Sequence, residues 1–386
     1  MSKSADASTR AVRAGLEVDD VTGAVVPPIH MSSTYAFRGL GQKRAYDYSR
    51  SGNPTRDLLG HALSDLEEGA GAVITGSGMG ATTLVGHLFD AGARVIAPHD
   101  CYGGTHRLFA AWQKRRELKV DFVDFGNAAA LAAAVAQPAA MVWIETPSNP
   151  LLRITDIAAV AEAGHRAGAL VVVDNTFLSP GWQLPLRHGA DIVVHSTTKY
   201  INGHSDVVGG AVIARDAAVH ERLCWWANCL GLTAGPFDSY LTLRGLRTLH
   251  ARLAIHGSNA GALAAWLEQQ PQIAKVYYPG LASHAGHALA SRQQSGYGAI
   301  VTLELKGGVA AVERFVNGLE YFSLAESLGG VESLVAHPAT MTHAAMDESS
   351  RQAAGLVDGL VRLSIGIEGL ADLRSDLAAG LKRAAV

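Results

Sequence analysis

The chain has 386 residues, 48% of them hydrophobic and 17% charged, and a formal net charge of -3 at pH 7. Roughly 100–200 residues make a domain, so this length leaves room for two domains and a large core. The slightly acidic balance excludes a protein that grips nucleic acid through a basic face. Cys101, Cys224 and Cys229 form neither an even framework nor a CxxC pair, and read as reduced thiols.

The first stretch, MSKSADASTRAVRAGLEVDD, lacks the apolar centre and small-residue cleavage pattern of a secretory signal. No apolar run approaches the ~18 residues that span a bilayer. Ser2 rather than glycine follows Met1, and the Ala-Ala-Val end offers no cysteine for prenylation. The expectation is a cytoplasmic protein with no membrane partner. Residues 1–61 carry turn formers, such as Pro27-Pro28 and Asn53-Pro54, and few periodic segments. Such a segment buries no core of its own and is expected to lie as an arm across another surface, its own domain or a neighbouring subunit. Within it, Tyr48-Ser49-Arg50-Ser51-Gly52-Asn53-Pro54-Thr55-Arg56 is dense in aromatic and basic groups, which composition alone reads as a solvated loop.

From Leu58 onward helical and strand-like runs alternate. A helix is expected at 58–66, then a strand at 72–74 leading into Thr75-Gly76-Ser77-Gly78-Met79-Gly80-Ala81, then a helix at 82–89. Strands follow at 93–97, 120–123, 141–144, 170–173 and 192–194, with an alanine-rich helix at 128–135. This order predicts a doubly wound α/β domain around a mostly parallel sheet, spanning 62–257. Beyond it, helices at 260–269, 310–319 and 372–385 and strands at 275–278, 299–305 and 361–365 predict a smaller α+β domain, 258–386.

The chemistry concentrates in residues 169–210, where Asp174 ends one apolar run and His195-Ser196-Thr197-Thr198-Lys199 ends the next. Ligands of parallel sheets bind at the carboxyl ends of the strands, so acid and amine would share one rim. A lysine amine can condense with an aldehyde cofactor, and pyridoxal phosphate also needs an acid facing its ring nitrogen. An opposite charge at close range shifts a pKa by roughly 1–3 units, enough to keep that nitrogen protonated. Ser196 and Thr198 are candidate phosphate donors, and the glycine loop lets backbone N–H groups approach an anion. Its spacing departs from G-x-G-x-x-G and no Walker lysine follows.

Tyr102 can stack on a planar ring or pack as a half-buried core residue. Asn149 can donate to a phenolate oxygen or simply turn the chain. Arg362 stands among apolar residues and needs an anion, either a substrate carboxylate or a structural acid. His195 with His204, and His337 with His343, lack a third ligand at metal spacing, so no metal is expected. No G-x-S-x-G elbow is present. A nicotinamide oxidoreductase on the same sheet type and a binding protein without catalysis are the readings from other classes.

VVVDNTFLSP (171–180) and HSTTKYINGHSDVVGG (195–210) resemble the lysine signature of the Cys/Met-metabolism family of pyridoxal-phosphate enzymes. The resemblance extends in order through VVPPIHMSSTY (25–35), YDYSRSGNPTRD (46–57), PHDCYGGTHRLF (98–109), IETPSNPLLRITDI (144–157), LAESLGGVESL (324–334) and HPATMTHA (337–344). It implies an aspartate-aminotransferase-like fold of type I with pyridoxal 5'-phosphate as cofactor. By the same resemblance Lys199 is the Schiff-base lysine, Asp174 the partner of the pyridine nitrogen, Tyr102 the stacking residue and Asn149 the neighbour of the phenolic oxygen. Gly78, Met79, Ser196 and Thr198 form the phosphate cup. Tyr48 and Arg50 reach the phosphate of the neighbouring subunit, which implies a homotetramer built of active dimers and replaces the solvated-loop reading. Ser327 and Arg362 hold the substrate α-carboxylate, with Asp47, Arg107 and Glu326 bordering the distal end of an amino-acid substrate. The implied reaction is γ-replacement of an O-acylhomoserine by cysteine, with α,γ-elimination or β-elimination of cystathionine as alternatives. Members that act on acylhomoserines can carry a second basic residue directly after Tyr-Ser-Arg, where this chain has Ser51.

Overall fold

The computed structural model describes residues 5–342 and 354–385; His343 and the end of the HPATMTHA block lie outside them. Seven strands, β1 (Gly71–Thr75), β2 (Ala93–Pro98), β3 (Leu118–Val123), β4 (Met141–Glu145), β5 (Leu170–Asp174), β6 (Ile192–His195) and β7 (Gly210–Ala214), form one sheet. Their order is β1-β7-β6-β5-β4-β2-β3. The pairs among β2 to β6 are parallel, and β7 runs antiparallel to both of its neighbours. Strand β4 is buried throughout because alternate residues serve two cores. Ile144, Val173, Val193 and Ile213 face one apolar cluster, while Trp143, Val172, Val194 and Val212 face the other.

The second sheet contains β8 (Ile273–Tyr277), β9 (Ile300–Leu305), β10 (Ser323–Leu324), β11 (Leu334–Ala336) and β12 (Leu360–Ser364), in the order β10-β11-β12-β9-β8. All its pairs are antiparallel except β10 with β11. Val173 of the first sheet and Leu303 and Leu363 of the second belong to one continuous apolar cluster. The expected boundary at 257/258 falls inside the helix Leu249–Leu267, and that at 61/62 inside the helix Pro54–Glu67. Among the described residues no helix is long and apolar enough to cross a membrane.

Local chemistry explains where the elements that carry the site begin. Asn53 caps the helix Pro54–Glu67 by accepting from the amides of Thr55 and Arg56, with Pro54 in the first turn. Ser77 caps the next helix by accepting from the Gly80 amide at 3.0 Å. That helix therefore starts at Gly78, four residues before the expected 82, with the glycine loop as its first turn. Strand β7 was not expected; the run Gly210–Ala214 returns antiparallel and brings Gly210 opposite Thr75.

The cross-over beside the site is too tight for a side chain. A Cβ on Gly210 would lie 2.2 Å from the carbonyl oxygen of Ser77. The Gly210→Ala chain should unfold at lower urea, destabilised by about 1–3 kcal/mol because backbone must move. An unchanged unfolding midpoint would contradict this packing.

Candidate active site

The carboxyl ends of β4, β5 and β6 open on one cavity of about 610 Å³. Gly78, Met79, Tyr102, Asn149, Asp174, Ser196, Thr198, Lys199, Ser327 and Arg362 line it, together with Arg107 and Glu326, which are exposed. A second cavity, about 630 Å³, is lined by Arg50, Arg56, His220 and Cys224 and contains neither Lys199 nor Asp174.

Lys199 follows β6 and donates from Nζ to Ser327 Oγ at 2.7 Å. Burial, then the charge of Arg362, lowers its pKa to about 8, with Glu326 opposing. Arg362, on β12, is 3% exposed and donates to Ser327 O at 2.7 Å and to Asn149 Oδ1 at 3.1 Å. Its Nε is buried without a partner, and among the described residues it makes no ion pair. Burial lowers even this guanidinium to about 10. A buried cation with neutral acceptors alone is costly, so the site is prepared for an anion. Ser327 has φ +97, a conformation that non-glycine residues rarely adopt, and Arg362 grips its carbonyl there.

Asp174 ends β5, and burial raises its carboxyl above the usual range against hydrogen bonds from Thr176. The Thr176 amide donates to Asp174 Oδ1 at 2.9 Å. Glu145 stands beside it in register at the end of β4, and burial followed by repulsion from Asp174 raises its carboxyl too. Sequence reasoning passed over Glu145, although it ends an apolar run as Asp174 does.

Also in the lining, the first-turn amides of Gly78 and Met79 have no helical partners of their own. A Cβ on Gly78 would lie 2.8 Å from Ser196 Cβ, so glycine is what lets this turn meet Ser196. Thr198 Oγ1 accepts from the Gly209 amide at 3.0 Å and lies 3.3 Å from the Gly209 carbonyl, to which it donates. Tyr102 is 44% exposed, and its ring lies over Gly104, where a Cβ would come 2.6 Å from the ring and 2.8 Å from Met79 Sδ.

Tyr48, Arg50 and Asp47 are not brought into this cavity by their own chain. Arg50 donates to the carbonyl and side-chain oxygens of Asn228 at 2.8 and 2.6 Å and lies 5.5 Å from the Tyr48 ring centroid. Asp47 pairs with Lys43 at 2.8 Å, a contact that lowers its pKa to about 2. His195 is fully buried with Nε2 2.6 Å from Glu67 Oε1, away from the cavity lining. Among the described residues no group of three His, Cys, Asp or Glu side chains is placed to hold a metal.

An amine, an acid, a ring-sized aromatic face and an anion cup converge on one volume, and this donor set fits pyridoxal phosphate. Fold and cavity together define a pyridoxal-phosphate-dependent enzyme. The chain belongs to the family described as Cys/Met metabolism PLP-dependent enzyme, which it matches over residues 8–382. It is 54% identical to cystathionine gamma-synthase of Escherichia coli over 378 residues, 98% of either chain. It is 44% identical to cystathionine gamma-lyase of Dictyostelium discoideum over 376 residues, 97% of either chain. The crystal structure of cystathionine gamma synthase from Xanthomonas oryzae pv. oryzae in complex with cystathionine superimposes with TM-score 0.98 at 61% identity, covering 99% of both chains. These findings set aside the nicotinamide reading.

Only the neutral amine of Lys199 is nucleophilic, so its reactivity should grow tenfold per pH unit below about 8 and level off above. Labelling of the cofactor-free protein by trinitrobenzenesulfonate, followed at the Lys199 peptide by mass spectrometry, reads this directly. A profile still climbing at pH 10 would contradict the buried, Arg362-facing environment.

Proposed function

We propose that the protein joins an O-acylhomoserine, O-succinylhomoserine in the first instance, to cysteine by γ-replacement, giving cystathionine. The observation that carries this is the double grip on Ser327, whose hydroxyl accepts from Lys199 and whose carbonyl accepts from Arg362. An amino acid with its carboxylate on Arg362 has its α-carbon beside Lys199. Likeness to the synthases at 54% and 61% identity supports replacement over elimination.

When bound, pyridoxal phosphate supplies the electron sink for chemistry at the substrate carbons. Asp174 keeps the proton on the ring nitrogen. The amides of Gly78 and Met79, with the hydroxyls of Ser196 and Thr198, would hold the phosphate, Tyr102 would cover a ring face and Asn149 would serve the phenolic oxygen. Lys199 Nζ, with its lowered proton affinity, takes the α-proton and then serves the β-carbon. The acyl group leaves the γ-carbon as a carboxylate with the bonding pair, the cysteine thiol gives up its proton as its sulfur bonds to that carbon, and the protons taken from the β- and α-carbons are returned to them. Arg107 and Glu326 stand where the distal part of the substrate lies. Tyr48 and Arg50 serve the neighbouring subunit's phosphate and Asp47 its distal site, in a homotetramer of two active dimers. The exposure of Tyr48, Met31 and Phe37 on the arm supports that assembly. A cytoplasmic location fits three free cysteines.

α,γ-Elimination of cystathionine is the second reading, favoured by Ser51, which donates to Asp47 Oδ1 at 2.8 Å where a second basic residue would suit an acyl carboxylate. O-Succinylhomoserine with cysteine should give cystathionine faster than cystathionine alone gives 2-oxobutanoate. The reverse ratio would replace the first reading by the second, and pyruvate from cystathionine would indicate β-elimination. Lys199→Ala should lower turnover by about 10²–10⁴-fold, the span of general acid–base catalysis, or more. Full turnover by that variant would overturn the mechanism.

A further inference from the structure

Tyr102 presents a problem of order. Its side chain is 44% exposed and begins the helix Gly103–Lys114, where it makes no side-chain cap hydrogen bond. The ring packs on one side over Gly104, so its direction depends on the backbone that carries it as well as on that contact. That backbone is held on both sides: the carbonyl oxygen accepts from the His106 amide at 2.9 Å within the helix, and the amide nitrogen donates to Glu145 Oε2 at 2.7 Å, which ties it to the sheet. The other oxygen of the same carboxyl accepts from Trp143 Nε1 at 2.9 Å. Trp143 is fully buried and lies two residues before Glu145 on β4, on the same face of the strand. Glu145 is itself 6% exposed and paired in register with Asp174. Two carboxyls side by side in a buried place repel each other, and evolution of a floor for one cationic ring does not require the second.

The geometry points to Glu145 as a positioning residue for the cofactor: its carboxyl bridges the rigid indole of Trp143 to the Tyr102 amide and so sets the Tyr102 ring over the cavity. The helix start, the ring and the sheet rim are thereby fixed to one another by a single side chain. Burial and the neighbouring Asp174 make that carboxyl hold protons more tightly than usual, yet two N–H donors answer its two oxygens. The inference rests on the reading of the cavity as a pyridoxal phosphate site but not on which substrate is turned over.

The test titrates cofactor-free protein with pyridoxal phosphate and follows the visible absorption of the bound cofactor, with far-ultraviolet circular dichroism as the check on folding. Glu145→Gln turns one donor-accepting oxygen into an amide donor that faces another N–H. Glu145→Asp keeps the carboxyl but is one methylene too short to reach both groups. Each should weaken cofactor binding about tenfold, the scale of one buried hydrogen-bond partner left unsatisfied. In a Tyr102→Ala background the same changes should weaken it by less than about twofold, because the effect passes through the ring that is no longer there. A loss of equal size in that background would show a general structural role and overturn the proposal. So would an Asp variant that binds as tightly as the unaltered chain while Gln does not, since the carboxyl rather than its reach would then matter. If the unaltered chain itself fails to take up pyridoxal phosphate, the reading of the cavity falls and this inference with it.

Discussion

Ser327 holds two cations within one small volume, and the rest of the site follows from that arrangement. Its hydroxyl oxygen accepts from Lys199 and its carbonyl oxygen from Arg362. Neither cation has a carboxylate partner there, and each loses proton affinity through burial. In a region of low dielectric, charges of like sign near one another are unfavourable, and the chain tolerates them because the fold holds the backbone of Ser327 in a rare conformation. The result is an amine that is ready to give and take protons near neutrality, beside a guanidinium that seeks an anion. Two carboxyls, Asp174 and Glu145, sit side by side on neighbouring strands, and burial makes both hold protons more tightly than usual. The cavity thus brings two cationic groups and two proton-holding carboxyls to one lining before anything enters it.

The sheet makes this convergence possible. Parallel strands end at one edge, so residues distant in sequence (145, 174 and the segment after 195) arrive together without long loops. Glycine then removes the last obstacles. Gly78 allows the capped helix turn to touch Ser196, and Gly210 allows β7 to pass beneath Ser77. The second sheet contributes Arg362 from β12, and a shared apolar cluster sets its distance from the first sheet. Packing and chemistry are therefore not separable here, because the same cluster that excludes water also fixes where the guanidinium stands.

Much of this was legible in the sequence for a plain reason. Runs such as Val171–Val173 and Ile192–Val194 are apolar because both faces of the strand are buried, and each is closed by a polar residue at the rim. Asp174 and Lys199 could be paired on that basis alone. Glu145 obeys the same rule but was missed, because its partners are a backbone amide and an indole that no spacing announces. The start of the helix at Gly78 was placed too late, since glycine is a poor helix former and its pattern mimics a loop, while the cap of Ser77 was the better signal. Strand β7 was missed because five residues of Gly210–Ala214 carry no mark of direction. The expected domain limits at 61/62 and 257/258 lie inside helices that continue across them. The roles of Tyr48 and Arg50 came from family resemblance; local composition suggested only a wet loop.

The arm preceding Asn53 leaves Val21, Met31, Phe37 and Leu40 facing water. So much greasy surface on a thin strap makes a lone chain poorly suited to the crowded, concentrated conditions in which enzymes operate. Any partner that covered this surface would add to the stability of the folded chain by mass action, to an extent that rises with its concentration. Solubility and structural integrity of this molecule therefore meet in the same few apolar side chains of the arm.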